Sequence, residues 1–359
     1  MIACSIDPFV SIKGLNSQPT EFSSLNPPTV HSIQLPRDQE SLPNSEFQKG
    51  IAYTSWWMGE YSSQESDLTI SENIKSLGAN WISVVVTCYQ KYTHSTDIMC
   101  KPDSETPSDE DLIHVIEYIH SQGMKVMLKP HVDIITDGPG HWRGNIGFGE
   151  NEDDWKTWFN EYTDFIIYYA KLAQENQVDY FVVGTELGNT SNRVEDWREI
   201  INNIRNVFKG PITYAANWDE VFDVEWWNEL DAIGVDAYFS LTTTNEPSLN
   251  QLREAWKPIT LQLGELSNLW GRPIILTEIG YRSRDGTNRR ANDTKTIDLE
   301  EQADCYQALF ESFDGKEWWQ GVYWWNWTID PNQGGPKDDD YTAAGKPAED
   351  ILKFYYGGP

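Results

Sequence analysis

From residue 47 onward the sequence repeats one pattern: a short β-branched or apolar run, a longer stretch with helical period, then another run. The runs fall at 50–53, 81–86, 125–129, 180–185, 212–216, 232–237, 273–277 and 321–325. The helical stretches fall at 66–77, 109–121, 153–175, 195–208, 249–269 and 299–313, with a closing helix at 348–354. Residues 81–86 are almost continuously apolar, as a strand buried on both faces must be. Gly78 and Gly123 stand where the first two helices should stop, and Ser108 stands where the second should start. Strands alternating with helices imply parallel pairing through right-handed crossovers, and eight such units close into an α/β (β/α)8 TIM barrel. The weakest repeat is the short, Trp-rich crossover at 219–230. An open doubly wound sheet would carry a Gly-rich first turn for a nucleotide, whereas here the first run enters Thr54-Ser55-Trp56-Trp57.

Residues 1–46 are rich in Ser, Pro, Asn and Gln without a sustained apolar period. They read as an irregular N-terminal extension or linker, which leaves residues 47–359 as the barrel domain. Residues 1–10 lack the apolar core of a signal peptide, and no stretch of about 18 apolar residues could span a membrane.

Charge and aromatic content narrow the partner. Lys plus Arg total 27 against 56 Asp plus Glu, a net charge of −29. Such a surface repels nucleic acid, anionic membranes and acidic polysaccharides, and leaves neutral polysaccharides open. There are 17 Trp and 17 Tyr, whose flat faces stack well on sugar rings. A neutral β-linked oligo- or polysaccharide is therefore the expected partner, with no cofactor. A monomer is expected, and the substrate class suggests export. Of the four Cys, Cys88 and Cys100 flank one loop and could bridge in an oxidising compartment, but free thiols are the expected state.

Barrel enzymes build their sites where strands end. After the first run come Trp56 and Trp57; after the third, Lys129-Pro130-His131-Val132-Asp133; after the fourth, Thr185 and Glu186. The fifth gives Asn217 and Trp218, the sixth Asp236 and Tyr238, the seventh Glu278, and the eighth Trp324, Trp325 and Asn326. A carboxylate at the end of a buried run is costly unless paired or used. Glu186 and Glu278 end the fourth and seventh runs, which can face each other across the barrel mouth. Retaining glycosidases need two carboxyl groups about 5 Å apart, one protonated to release the leaving oxygen and one ionised to attack the anomeric carbon. Either Glu alone would read as a salt-bridge partner; the pair reads as acid/base and nucleophile.

These features resemble the clan of retaining glycosidases with the acid/base after the fourth strand and the nucleophile after the seventh. Lys49-Gly50-Ile51-Ala52-Tyr53, Lys129-Pro130-His131-Val132-Asp133, Val183-Gly184-Thr185-Glu186-Leu187 and Leu276-Thr277-Glu278-Ile279-Gly280-Tyr281 look, more narrowly, like glycoside hydrolase family 113. The resemblance runs from about Phe47 to the end and implies mainly endo-β-1,4-mannanase activity, with Glu186 as acid/base and Glu278 as nucleophile. One departure stands out. The wider clan has Asn before the acid/base, binding the sugar 2-hydroxyl, and this chain has Thr185. Another group, Asn217 being a candidate, must then reach that hydroxyl.

Further candidates follow from position. Tyr238 can donate to Glu278, or pack at the mouth. Trp325 can floor the sugar at the cleavage point, although strand alternation cannot turn every residue of Tyr323-Trp324-Trp325-Asn326-Trp327 toward substrate. His131 can hydrogen-bond substrate or nucleophile, and Lys129 can favour an ionised carboxylate or balance buried acid. One or two of Trp56, Trp57 and Trp218 can serve as sugar platforms. No metal site is expected: only 6 His occur, with no HExxH or His-x-His pair, and the acidic loop at Asp330 and 338–340 reads as solvated. Competing readings are a retaining glycanase acting on glucan or xylan, a non-catalytic carbohydrate-binding barrel and, last, a metal-dependent hydrolase.

Overall fold

The computed structural model describes residues 47–100, 105–136, 138, 140–289 and 295–358. The expected extension, 1–46, and Cys4 lie outside the described residues. Eight parallel strands close into one barrel in sequence order. They are β1 Gln48–Thr54, β2 Trp81–Gln90, β3 Lys125–Ile134, β4 Tyr180–Thr185, β5 Ile212–Asn217, β6 Ile233–Asp236, β7 Ile274–Ile279 and β8 Trp319–Thr328. The helices are α1 Gln64–Leu68, α2 Asp109–Ser121, α3 Glu152–Glu175, α4 Gly188–Ser191, α5 Val194–Val207, α6 Leu249–Trp270, α7 Leu299–Phe313 and α8 Pro347–Tyr356. The chain is the (β/α)8 barrel that the repeated pattern implies.

Local chemistry explains the boundaries. Ser108 accepts from Asp111 N while Asp111 accepts from Ser108 N, a reciprocal cap that starts α2. Ser248 and Gln251 do the same for α6. The first helical stretch is one continuous spiral that passes from α1 through a π turn and a 3-10 turn and stops at Gly78, φ +85°. The weakest repeat, between β5 and β6, holds a 3-10 turn at Trp227–Glu229 where other units place a long helix. β2 and β3 run four and five residues beyond their expected ends, to Gln90 and Ile134, because they stay paired in register throughout.

The core has layers. Between barrel and helices lies an aromatic-rich shell in which Trp158, Trp197, Trp226, Trp227, Trp256 and Trp324 are fully buried. Truncating one of these to Ala would cost about 3–5 kcal/mol. Inside the barrel, Trp81, Met127, Tyr180, Val182, Ile275 and Tyr323 fill one end. Ala52, Val85, Tyr238, Trp325 and Tyr341 form a second cluster, bordered by Trp56 and Trp218. Alternation along β8 separates Tyr323 and Trp325, inside, from Trp324, which stacks on Tyr306 at 3.7 Å in the outer shell.

One expectation is corrected. Cys88 and Cys100 are joined in a disulfide rather than left as free thiols. The antiparallel bridge between Tyr89 and Met99 lays the two ends of the loop side by side and brings the sulfurs together. Cys305 is free and buried. No helix of the described residues is long and apolar enough to cross a membrane.

Candidate active site

Between the two inner clusters the barrel interior turns polar. β3 supplies a ladder, since every second side chain faces inward: Met127 in the apolar plug, then Lys129, His131 and Asp133. Lys129 is fully buried, and its ammonium donates to Asp236 Oδ1 and Oδ2 at 2.9 and 3.0 Å and to Glu278 Oε1 at 2.6 Å. Thr277 Oγ1 donates to Asp236 Oδ1 at 2.8 Å, and Tyr238 OH donates to Glu278 Oε2 at 3.1 Å. Burial pulls the Lys129 ammonium pKa down, but Asp236 and Glu278 outweigh it and raise it, so the group stays charged.

Glu186 stands on the other side of a cationic bridge. Arg143, buried in the turn after β3, is held by Asp133 through Nε at 2.9 Å and through Nη2. Its Nη1 lies 3.0 Å from His131 Nδ1 and 3.6 Å from Glu186 Oε2. Because Nδ1 accepts from Arg143, the proton of the neutral ring sits on Nε2, 3.7 Å from Glu278 Oε1. Burial, helped by Arg143 and Lys129, holds the His131 pKa well below its usual value. His131 therefore acts as a fixed donor rather than a charge.

The two carboxyl groups have unequal surroundings. Burial, with the Asp236 charge, pushes Glu186 up to about 8, and Arg143 only partly opposes this. Burial and Asp236 also push Glu278 up, to about 7, against the pull of Lys129. Glu278 accepts bonds from an ammonium and a phenol; the cation near Glu186 is already engaged by Asp133. The contacts around Glu278 therefore favour its ionised form more than those around Glu186 do. Glu186 also has a left-handed backbone, φ +53°, which costs a residue with a side chain roughly 1–2 kcal/mol and is concentrated at functional sites.

The remaining sequence candidates divide by place. Tyr238 and Trp325 belong to the mouth cluster, with Trp56 and Trp218 at its border; Trp218 packs edge-on against Phe239 at 5.9 Å. Trp57 is 52% exposed and joins none of the buried clusters. Thr185 is buried, with Oγ1 3.4 Å from Pro130 O. Asn217 donates from Nδ2 to Asp219 Oδ1 at 2.8 Å. Two buried atoms, Asn217 Oδ1 and His131 Nε2, make no hydrogen bond to the described residues. Sequence reasoning missed Arg143 as a site residue: it lies in an irregular loop with no period to mark it. It noted Asp236 at a strand end without its partner, because Lys129 is 107 residues away.

The acidic loop after β8 is paired with cations: Asp338 with Lys346 at 2.6 Å, Asp339 with Arg284 at 2.9 Å and Asp340 with Arg282 at 3.3 Å. Asp285, Asp298 and Glu301 bring oxygens within 4.8 Å of one another, the one such carboxylate group among the described residues. Glu301 there accepts from Gly286 N and Asn288, and Asp298 caps α7.

The family pattern described as Glycoside Hydrolase Family 113 matches residues 52–346. A solved GH113 β-1,4-mannanase is 28% identical with a TM-score of 0.78, covering 88% of this chain and 100% of that one. The GH113 β-mannanase AaManA from Alicyclobacillus acidocaldarius, in complex with ManMIm, is 25% identical with a TM-score of 0.78, covering 88% and 98%. A Faecalibacterium prausnitzii β-glucuronidase, 13% identical with a TM-score of 0.58 over 87% of this chain and 49% of that one, shares the fold alone. No curated protein matches the sequence.

Proposed function

The chain belongs to glycoside hydrolase family 113, and on that premise we propose that it is a retaining hydrolase cleaving β-1,4-mannosidic bonds of mannan-type polysaccharides. Glu278 attacks the anomeric carbon while Glu186 gives its proton to the leaving oxygen, forming a covalent glycosyl-enzyme. Glu186, now ionised, takes a proton from water, which attacks the same carbon and releases a sugar of unchanged configuration. The observation that carries this reading is the asymmetry of contacts to the two buried carboxyls: Glu278 accepts from Lys129 and Tyr238, whereas the cation near Glu186, Arg143 at 3.6 Å, is already engaged by Asp133.

Substrate supplies what the protein leaves unpaired. Buried polar atoms are nearly always hydrogen-bonded, so His131 Nε2–H and Asn217 Oδ1 mark places for sugar hydroxyls. Asn217 thus offers an acceptor toward the 2-hydroxyl that Thr185 is too short to reach. Trp325, with Trp56 and Trp218 at the rim, provides flat faces for the rings. The solved GH113 relatives are β-mannanases, which favours mannan over glucan or xylan.

The test is turnover of mannan, glucomannan, cellulose, xylan and mixed-linkage glucan by the wild type, Glu186→Ala and Glu278→Ala. Mannan or glucomannan should be cleaved fastest, and both variants should lose the activity. With an activated aryl β-mannoside, azide should restore Glu278→Ala as the α-mannosyl azide and Glu186→Ala as the β-mannosyl azide. Binding of mannan without cleavage by folded wild type would instead favour a carbohydrate-binding barrel.

A further inference from the structure

A further buried carboxyl lies close to the end of β4, where Glu186 stands. Glu220, 7% exposed, accepts from Tyr214 OH at 2.6 Å and from Asn217 N at 3.2 Å. The Tyr214 hydroxyl in turn accepts the backbone N–H of Leu187 at 2.7 Å. Leu187 follows Glu186, whose own N–H donates to Ala215 O at 2.8 Å. The left-handed residue is therefore bracketed by two hydrogen bonds, one on each side, and both end on β5.

The Tyr214 ring cannot easily move. Its centroid lies 5.2 Å from that of Trp197 and 5.0 Å from that of Trp226, and both indoles are fully buried. A Cβ placed on Gly184 would meet Trp197 at 2.7 Å, Tyr162 OH at 2.9 Å and the Tyr214 ring at 3.0 Å, so glycine there leaves room for all three side chains. The hydroxyl emerges where β4 gives way to α4, and Glu220 meets it from the turn after β5. The carboxyl orients the phenol so that its lone pair faces Leu187.

We propose that Tyr214 and Glu220 are positioning residues that hold the strained backbone at Glu186 and thereby aim its carboxyl at the leaving oxygen. The proposal rests on the reading of Glu186 as the acid/base. Neither residue needs to touch substrate. Their removal acts through the Leu187 N–H, and a displacement near 1 Å at a reacting group can cost about 100-fold in rate.

A test that separates aim from general stability compares two leaving groups. A mannan oligosaccharide needs a proton from Glu186 when its bond breaks; a 2,4-dinitrophenyl β-mannobioside does not. For Tyr214→Phe and Glu220→Gln, kcat/KM on the oligosaccharide should fall roughly 10–100-fold, with KM little changed, while kcat/KM on the dinitrophenyl substrate falls less than about 3-fold. Glu186→Ala, measured alongside, should show the same pattern more strongly. Tm checks folding of each variant, and if Glu220→Gln does not fold, the more conservative Tyr214→Phe decides. Equal losses on both substrates, or no loss, with the Glu186→Ala pattern intact, would overturn the positioning role alone. Equal losses in Glu186→Ala itself would remove the acid/base reading and this inference with it.

Discussion

The Lys129 ammonium lies 2.6 Å from Glu278 Oε1, with the lysine side chain fully shut off from water and the glutamate nearly so. The same nitrogen binds both oxygens of Asp236, so one cation ties β3, β6 and β7 together at the level where the site begins. Removing one member of such a buried network leaves charge uncompensated, at a cost of about 3–5 kcal/mol. Lys129→Met should therefore lower both stability and activity. Adding Asp236→Leu should recover much of the stability, measured by urea unfolding, and none of the kcat, because Glu278 still lacks its cation. Recovery of activity in the double variant would show that Lys129 serves the fold alone.

The pH profile of kcat/KM should be bell-shaped and centred near or just above neutrality. In the proposed mechanism activity needs Glu278 ionised, and should be lost as pH falls through its raised value of about 7. The same mechanism needs Glu186 protonated, so activity should also be lost as pH rises through about 8. Tyr238→Phe removes a donor to the ionised form of Glu278, so the acid limb should move to higher pH while the basic limb stays close to its place. Such a bond to a charged group contributes about 1.5–3 kcal/mol, and kcat should fall roughly 10-fold or more. An unmoved acid limb in the variant would contradict the assignment.

Glu186 should weaken the fold. Its folded-state pKa is raised from 4.5 to about 8 by burial. Below pH 4.5 the residue is protonated whether the chain is folded or not, and it has no effect. Above 4.5 the unfolded chain ionises while the folded one holds its proton, so stability falls by up to about 1.4 kcal/mol per pH unit until about pH 8. Glu186→Gln should accordingly raise Tm, and by more at pH 8 than at pH 5. Equal Tm values at both pH values would mean that the carboxyl ionises freely in the folded protein.

The disulfide should be worth measuring too. Cys88 and Cys100 are 12 residues apart, and a loop of that size contributes on the order of 3 kcal/mol by restricting the unfolded chain. Dithiothreitol, or Cys88→Ser with Cys100→Ser, should lower Tm while leaving kcat on mannan close to that of the untreated protein. A thermal transition insensitive to reduction would argue that the bridge is not closed in solution.

What could be read from sequence was whatever repeats locally. The strands at Tyr180–Thr185 and the helices at Asp109–Ser121 and Leu299–Phe313 have the limits that apolar period and capping residues predict. The two glutamates stood out because each ends an apolar run. What joins them did not. Arg143 reaches Glu186 from an irregular turn, and Lys129 meets Asp236 across the barrel, so both relations exist only once the sheet closes. Glu220 is one of 56 acidic residues, and only its bond to Tyr214 beside the left-handed turn at Glu186 sets it apart. The Cys88–Cys100 disulfide is not legible in the sequence, because the bridge between Tyr89 and Met99 that aligns the two cysteines has no local signature.

Glu278 as the nucleophile is tested most directly by peptide mapping after inactivation with a 2-deoxy-2-fluoro-β-mannosyl fluoride, which accumulates the covalent intermediate. The account predicts one fluorosugar on the peptide bearing Glu278, and none in Glu278→Gln. A fluorosugar on a different carboxylate, or undiminished turnover with no adduct in the wild type, would contradict it.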